Sequence, residues 1–90
     1  MTDADLDEVL RALAHPARRA FLRACLTQAR AAGDLSTLTN LSVATVSEHL
    51  KVLRKTGLLQ LDRQGRFWMY RTDADLLETV AAAVCELGNG

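Results

Sequence analysis

Residues 42–57, Ser-Val-Ala-Thr-Val-Ser-Glu-His-Leu-Lys-Val-Leu-Arg-Lys-Thr-Gly, leave the chain few conformations to choose from. Ser42 opens the stretch with a hydroxyl that can accept from an unpaired first-turn amide, the usual N-cap role. Val46, Leu50 and Leu53 recur at helical spacing and mark one buried stripe. Arg54 and Lys55 place positive charge at the negative end of the helix dipole, and Gly57 ends the helix in a left-handed conformation that costs glycine nothing. The stretch reads as one capped, amphipathic helix. Its other face carries Val43, Ala44, Thr45, Ser47, Glu48 and Lys51, short or polar side chains first and a cation further on. A solvated surface helix can look like this. So can a helix that lies against a groove of DNA.

The flanks decide what such a helix can be part of. Leu6, Val9, Leu10 and Leu13 follow helical spacing behind Asp5, Asp7 and Glu8, which predicts a first helix over residues 4–14. Pro16 disfavours helical geometry at His15 but suits the first position of a new helix. That second helix is predicted to run from residue 16 to about 31, apolar over much of its circumference and therefore central. Gly33-Asp34 breaks the pattern, and residues 35–40 form a short third helix with Leu35 and Leu38 inward and Asn40 as its left-handed stop. With only Leu41 before Ser42, the third and fourth helices form a helix-turn-helix.

After Gly57 the period approaches two. Residues 58–62 and 67–71 are strand-like runs separated by Arg63-Gln64-Gly65-Arg66, a hairpin with a basic tip that must lie on the helices to be stable. Thr72 or Asp73 caps a last helix reaching Leu87, with Leu76, Leu77, Val80, Val84 and Leu87 as its apolar stripe and Ala81 to Ala83 permitting close helix approach. Repeats, low-complexity tracts and linkers are absent from the sequence. The expected fold is one winged helix-turn-helix domain over residues 1–90, mainly α with a small β-hairpin, in the order α-α-α-α-β-β-α.

Ninety residues bury only somewhat over ~60% of their unfolded surface, so a second copy would help complete the core. Net charge is zero, yet it is unevenly spread. Residues 1–10 and 72–90 each carry −4, whereas residues 11–34 and 48–71 each carry +4. A basic middle between acidic ends can steer phosphate to one face. No apolar run approaches the roughly 18–20 residues that span a bilayer, and the acidic N-terminus lacks a signal peptide's basic and apolar regions, so no membrane partner and a cytoplasmic location are expected. Cys25 and Cys85 are too few for a disulfide scaffold and read as small core residues. Neither a glycine-rich phosphate loop nor a nucleophile with its base and acid is present, which speaks against an enzyme.

Three pieces, Ala12-Leu13-Ala14-His15-Pro16-Ala17-Arg18-Arg19, residues 45–58 from Thr45 to Leu58, and Gly65-Arg66-Phe67-Trp68-Met69-Tyr70-Arg71, together resemble the ArsR family of bacterial winged-helix repressors. The resemblance covers roughly residues 9–76 and is most specific at Val-Ser-x-His-Leu-x-x-Leu. It implies a homodimer built on the first and last helices, through Leu6, Val9, Leu10, Leu13, Leu77, Val80, Ala81 and Val84. It also implies binding of double-stranded DNA at a palindromic operator, repression, and release on a signal.

Carried over position by position, the recognition residues are Val43, Ala44, Thr45, Ser47 and His49, flanked by the N-cap Ser42. Many relatives have glutamine where this chain has Val43, so polar base readout falls more on Thr45 and Ser47. Glu48 could accept from a cytosine amino group or simply pair with Lys51. His49 reads as a DNA contact or as a satisfied half-buried group. Lys51, Arg54, Arg63 and Arg66 suit phosphates, and Gln64 at the wing tip suits the minor groove.

Metal sensing, common in the family, needs converging thiolate, imidazole or carboxylate ligands. The third helix lacks the Cys-x-Cys of metal-sensing relatives and the last helix lacks histidine, so neither metal nor cofactor is expected. Some relatives sense oxidants or sulfur species through one cysteine on the second helix and one on the last, which makes Cys25 and Cys85 a candidate thiol sensor. The remaining alternative is a winged-helix interaction module that no longer binds DNA specifically, consistent with zero net charge and with Val43.

Overall fold

Four of the five helices in the computed structural model, which describes residues 1–89, begin on a side-chain cap that the sequence supplies. Helix α1 (Asp3–Leu13) opens on Thr2, whose hydroxyl accepts from the Asp5 N–H at 3.1 Å while the Asp5 carboxylate accepts from the Thr2 N–H at 3.0 Å. Two orphan amides are satisfied reciprocally. Helix α2 (Pro16–Ala24) has Pro16 in its first turn and His15 as its cap, with Nδ1 accepting from the Ala17 N–H at 3.3 Å.

Helix α3 (Ala32–Thr39) ends at Asn40 in the left-handed region, φ 57°. Helix α4 (Val43–Thr56) then starts from Ser42, whose Oγ accepts from the Thr45 N–H at 3.2 Å, and stops at Gly57, φ 85°. A Cβ at Gly57 would also lie 3.3 Å from Leu76 Cδ2, so glycine is favoured there both by backbone conformation and by packing.

Strands β1 (Leu59–Gln64) and β2 (Phe67–Thr72) pair antiparallel from Leu59↔Thr72 to Gln64↔Phe67. Gly65, φ 63°, takes the first place of the two-residue loop, as a type II′ turn requires. Helix α5 (Ala74–Leu87) follows, capped by Asp73, whose carboxylate accepts from the Leu76 N–H at 3.0 Å. The observed order is therefore the expected α-α-α-α-β-β-α.

The core gathers Phe21 from α2, Leu35 from α3, Val46, Leu50 and Leu53 from α4, and Leu58 and Leu59 at the start of the hairpin. Helix α4 packs on α1, α2, α3 and β1, which fixes its outward face relative to the wing.

Four expectations are corrected. Helix α2 ends at Ala24, well short of residue 31. Its last carbonyls are claimed from elsewhere: the Thr72 hydroxyl donates to the Leu22 carbonyl at 2.7 Å, the Thr72 N–H to that of Cys25 at 3.1 Å and Arg30 Nε to that of Ala24 at 3.1 Å. Arg30 meanwhile exchanges backbone hydrogen bonds with Tyr70 at 2.9 and 2.7 Å, adding an isolated bridge beside the hairpin.

Helix α3 begins three residues early, at Ala32, because the Asp34 carboxylate accepts from the Ala31 N–H at 3.2 Å and takes Gly33 into the first turn. Leu38 points outward, 64% exposed; this short helix buries only Leu35 fully. The strands absorb Arg63 and Gln64, leaving only Gly65 and Arg66 as the loop.

Candidate nucleic-acid interface

One face of α4 faces away from the core: Val43, Ala44, Thr45, Ser47, Glu48, Lys51 and Arg54 are exposed, whereas Val46, Leu50 and Leu53 are fully buried. The Ser42 hydroxyl is committed to its cap, accepting from the Thr45 N–H and donating to Thr45 Oγ1 at 3.0 Å. Thr45 keeps its own hydroxyl hydrogen to offer. Glu48 sits 3.7 Å from Lys51 Nζ with both side chains 76% exposed, a pair worth little and easily exchanged for other partners. Lys55 turns toward α1 instead, 3.8 Å from Glu8.

The wing continues this surface. Arg63, Gln64 and Arg66 are exposed around its tip, and Arg54, Arg63 and Arg66 form no ion pair among the described residues. Between α4 and β2 runs a groove lined by Ser47, Lys51, Arg54, Trp68 and Tyr70. Trp68, which the sequence marks only as a strand residue, lies half exposed at this groove with the Arg63 guanidinium 6.0 Å from its ring centroid. The hairpin register pairs the two directly, so correct pairing of the strands is the signal that could have found it.

His49 is half-buried and turned toward α2. Its Nδ1 accepts from Arg18 Nε at 3.2 Å, and its ring lies 4.3 Å from that of His15 and 6.1 Å from that of Phe21. Arg18 also donates to the Ala12 carbonyl at 3.4 Å, joining the end of α1 to α4. Burial, then the charges of His15 and Arg18, hold His49 below the ordinary value of 6.5.

The unfolded chain therefore protonates His49 at higher pH than the folded one. Its stabilising contribution is complete above about pH 6.5 and fades as pH falls through the folded value. Thermal melts should show a flat Tm from about pH 7 to 8 and a decline as pH falls below about 6.5, a decline reduced in His49→Gln. A wild-type Tm independent of pH over that window would show the contact to be unimportant.

The two cysteines part company. Cys25 lies in the core, where burial pushes its thiol up to about 11, leaving almost no thiolate at neutral pH. Cys85 is exposed on α5, contrary to its expected core position, because α5 buries only Val80 fully and Cys85 lies outside that contact. Both thiols are free. Among the described residues no three His, Cys, Asp or Glu side chains converge as metal ligands would. No helix there is long and apolar enough to cross a membrane.

Of the residues assigned to pairing with a second copy, Val9 and Val80 are in the chain's own core, while Leu6, Leu13 and Leu77 are half-buried. Leu10, Ala81 and Val84 are exposed, and so are Leu26 on the turn after α2 and Leu87 at the end of α5.

A tight α3–α4 turn, an outward α4 face and a two-stranded wing define a winged helix-turn-helix domain. A family model described as "Helix-turn-helix domain" matches residues 13–62. The repressor SmtB of Mycobacterium tuberculosis is 35% identical over 82 residues, covering 90% of this chain and 61% of that protein. The chain thus spans less than two thirds of that relative's length. Among solved structures, an ArsR-like transcriptional regulator from Rhodococcus superposes with a TM-score of 0.86 at 27% identity, covering 96% of this chain and 81% of that one. A homodimeric winged helix-turn-helix domain from Mycobacterium bovis shares the fold, with a TM-score of 0.78 at 24% identity over 98% of this chain and 88% of that one. The chain belongs to the ArsR family of winged helix-turn-helix transcriptional regulators.

Proposed function

We propose that this protein is a homodimeric repressor that docks α4 in the major groove and its wing along the flanking backbone of a palindromic operator. The observation that carries the reading is the continuity of the unburied α4 face with a wing whose arginines form no ion pair among the described residues. Such cations suit phosphate, and Thr45 and Ser47, polar and exposed on the same face, suit base edges. Val43 contributes apolar contact, as with a thymine methyl.

Dimerisation is supported by the apolar surface left on α1 and α5 through Leu10, Val84 and Leu87, with Ala81 allowing close approach. A DNA-bound repressor works in the bacterial cytoplasm at the nucleoid. It performs no catalysis, and its partners are DNA and its own second copy.

Selection of bound sequences from a pool of random duplexes tests this reading. The enriched motif should be two-fold symmetric with half-site centres about 34 Å apart, one helical turn. Thr45→Ala and Ser47→Ala should change the preferred bases. Enrichment of no symmetric motif would count against a dimeric operator binder.

A further inference from the structure

We propose that the groove between α2, α3 and α4 is a binding site for a small organic anion, an apolar body bearing a carboxylate, that touches α4 through Thr45 and His49. The walls are apolar, formed by Pro16, Ala20, Leu38 and Leu41, and His15, His49 and Thr45 supply the polar edge. Leu38 is the largest uncovered apolar side chain there, 64% exposed.

The polar edge is one-sided. His15 Nδ1 accepts from the Ala17 N–H and His49 Nδ1 accepts from Arg18 Nε, so in the neutral form each ring carries its proton on Nε2. Neither Nε2–H has an acceptor among the described residues. Among the described residues no carboxylate lines the groove, and the Arg18 guanidinium stands behind His49. Donors beside a positive charge, facing an apolar wall and lacking any acid, call for an acceptor-rich anion with an apolar body.

The titratable or charged groups facing His49 are His15 from the α1–α2 turn and Arg18 from α2; α3 brings only Leu38 and Thr39 to the groove. An anion would offset that positive charge and raise the His49 pKa toward the ordinary range. Because α4 supplies both Thr45 and His49, occupancy would bias the helix that faces DNA. That regulatory meaning rests on the function proposed above, whereas the site itself does not.

Imidazole ¹⁵N NMR of the full chain without DNA tests the site, with benzoate as probe and benzamidine and inorganic phosphate as controls. Benzoate should shift the Nε2 signals of both histidines saturably and raise the His49 pKa, and benzamidine should do neither. Leu38→Glu, a change at an exposed position that leaves the core intact, should raise half-saturation by about fivefold or more through like-charge repulsion. Equal shifts with benzamidine, or none with benzoate, would overturn the proposal. So would phosphate acting as well as benzoate, since that marks a simple anion contact of the kind a DNA backbone makes. These outcomes are read without DNA, so they stand apart from any failure of operator binding.

Discussion

Replacing Leu50 with alanine should lower the Tm by some 10–30 °C. Leu50 is 1% exposed on the inward face of α4, among side chains from α2, α3 and the hairpin base. Leucine-to-alanine changes at such sites cost about 2–5 kcal/mol, the lost transfer energy plus the cavity left behind. A chain of 90 residues has a total stability of only about 5–13 kcal/mol, and each kcal/mol moves the Tm of so small a domain by about 4–8 °C. Differential scanning calorimetry checks this. A fall under about 5 °C would mean that α4 is not held by the packing described.

Reversing charge at the wing, Arg63→Glu with Arg66→Glu, should weaken DNA binding by about a hundredfold or more at low salt. Both arginines are exposed and lack ion-pair partners among the described residues, so the change should remove phosphate contacts while breaking, among those residues, only the contact of Arg63 over Trp68. The loss should be nearly equal on operator and random duplexes, because phosphate contacts fix register and carry no sequence information. Fluorescence anisotropy of labelled duplexes measures it, with the variant's Tm as control for folding. An effect confined to the operator would assign these side chains to base readout instead.

Where a structural decision is local, the sequence disclosed it. Ser42, Asn40 and Gly57 each act within one turn of helix, so the limits of α4 and the end of α3 could be read directly, and the repeat of Val46, Leu50 and Leu53 oriented the buried stripe. The end of α2 was hidden because it depends on Thr72, fifty residues from Leu22, taking a carbonyl that a longer helix would have used. Leu38 was misjudged because helical spacing from Leu35 says nothing of how narrow the buried stripe of so short a helix is.

The site divides in the same way. Residue types along α4 and the wing predicted the exposed cations, whereas the His49–Arg18 bond and the Arg63–Trp68 pair each join separated parts of the chain. Family resemblance implied a set of positions for pairing with a second copy, whereas the burial of Val9 and Val80 among them comes from packing between separated elements.

The central claim, that the α4 face and the wing bind DNA through phosphate contacts on two protomers, is tested most directly by the salt dependence of operator affinity. Lys51, Arg54, Arg63 and Arg66 on each protomer would give eight contacts for a dimer, for which a plot of log Kobs against log salt should have a slope of about −7. A flat plot, or no binding to promoter DNA at low salt, would contradict the account and favour a winged helix that binds proteins.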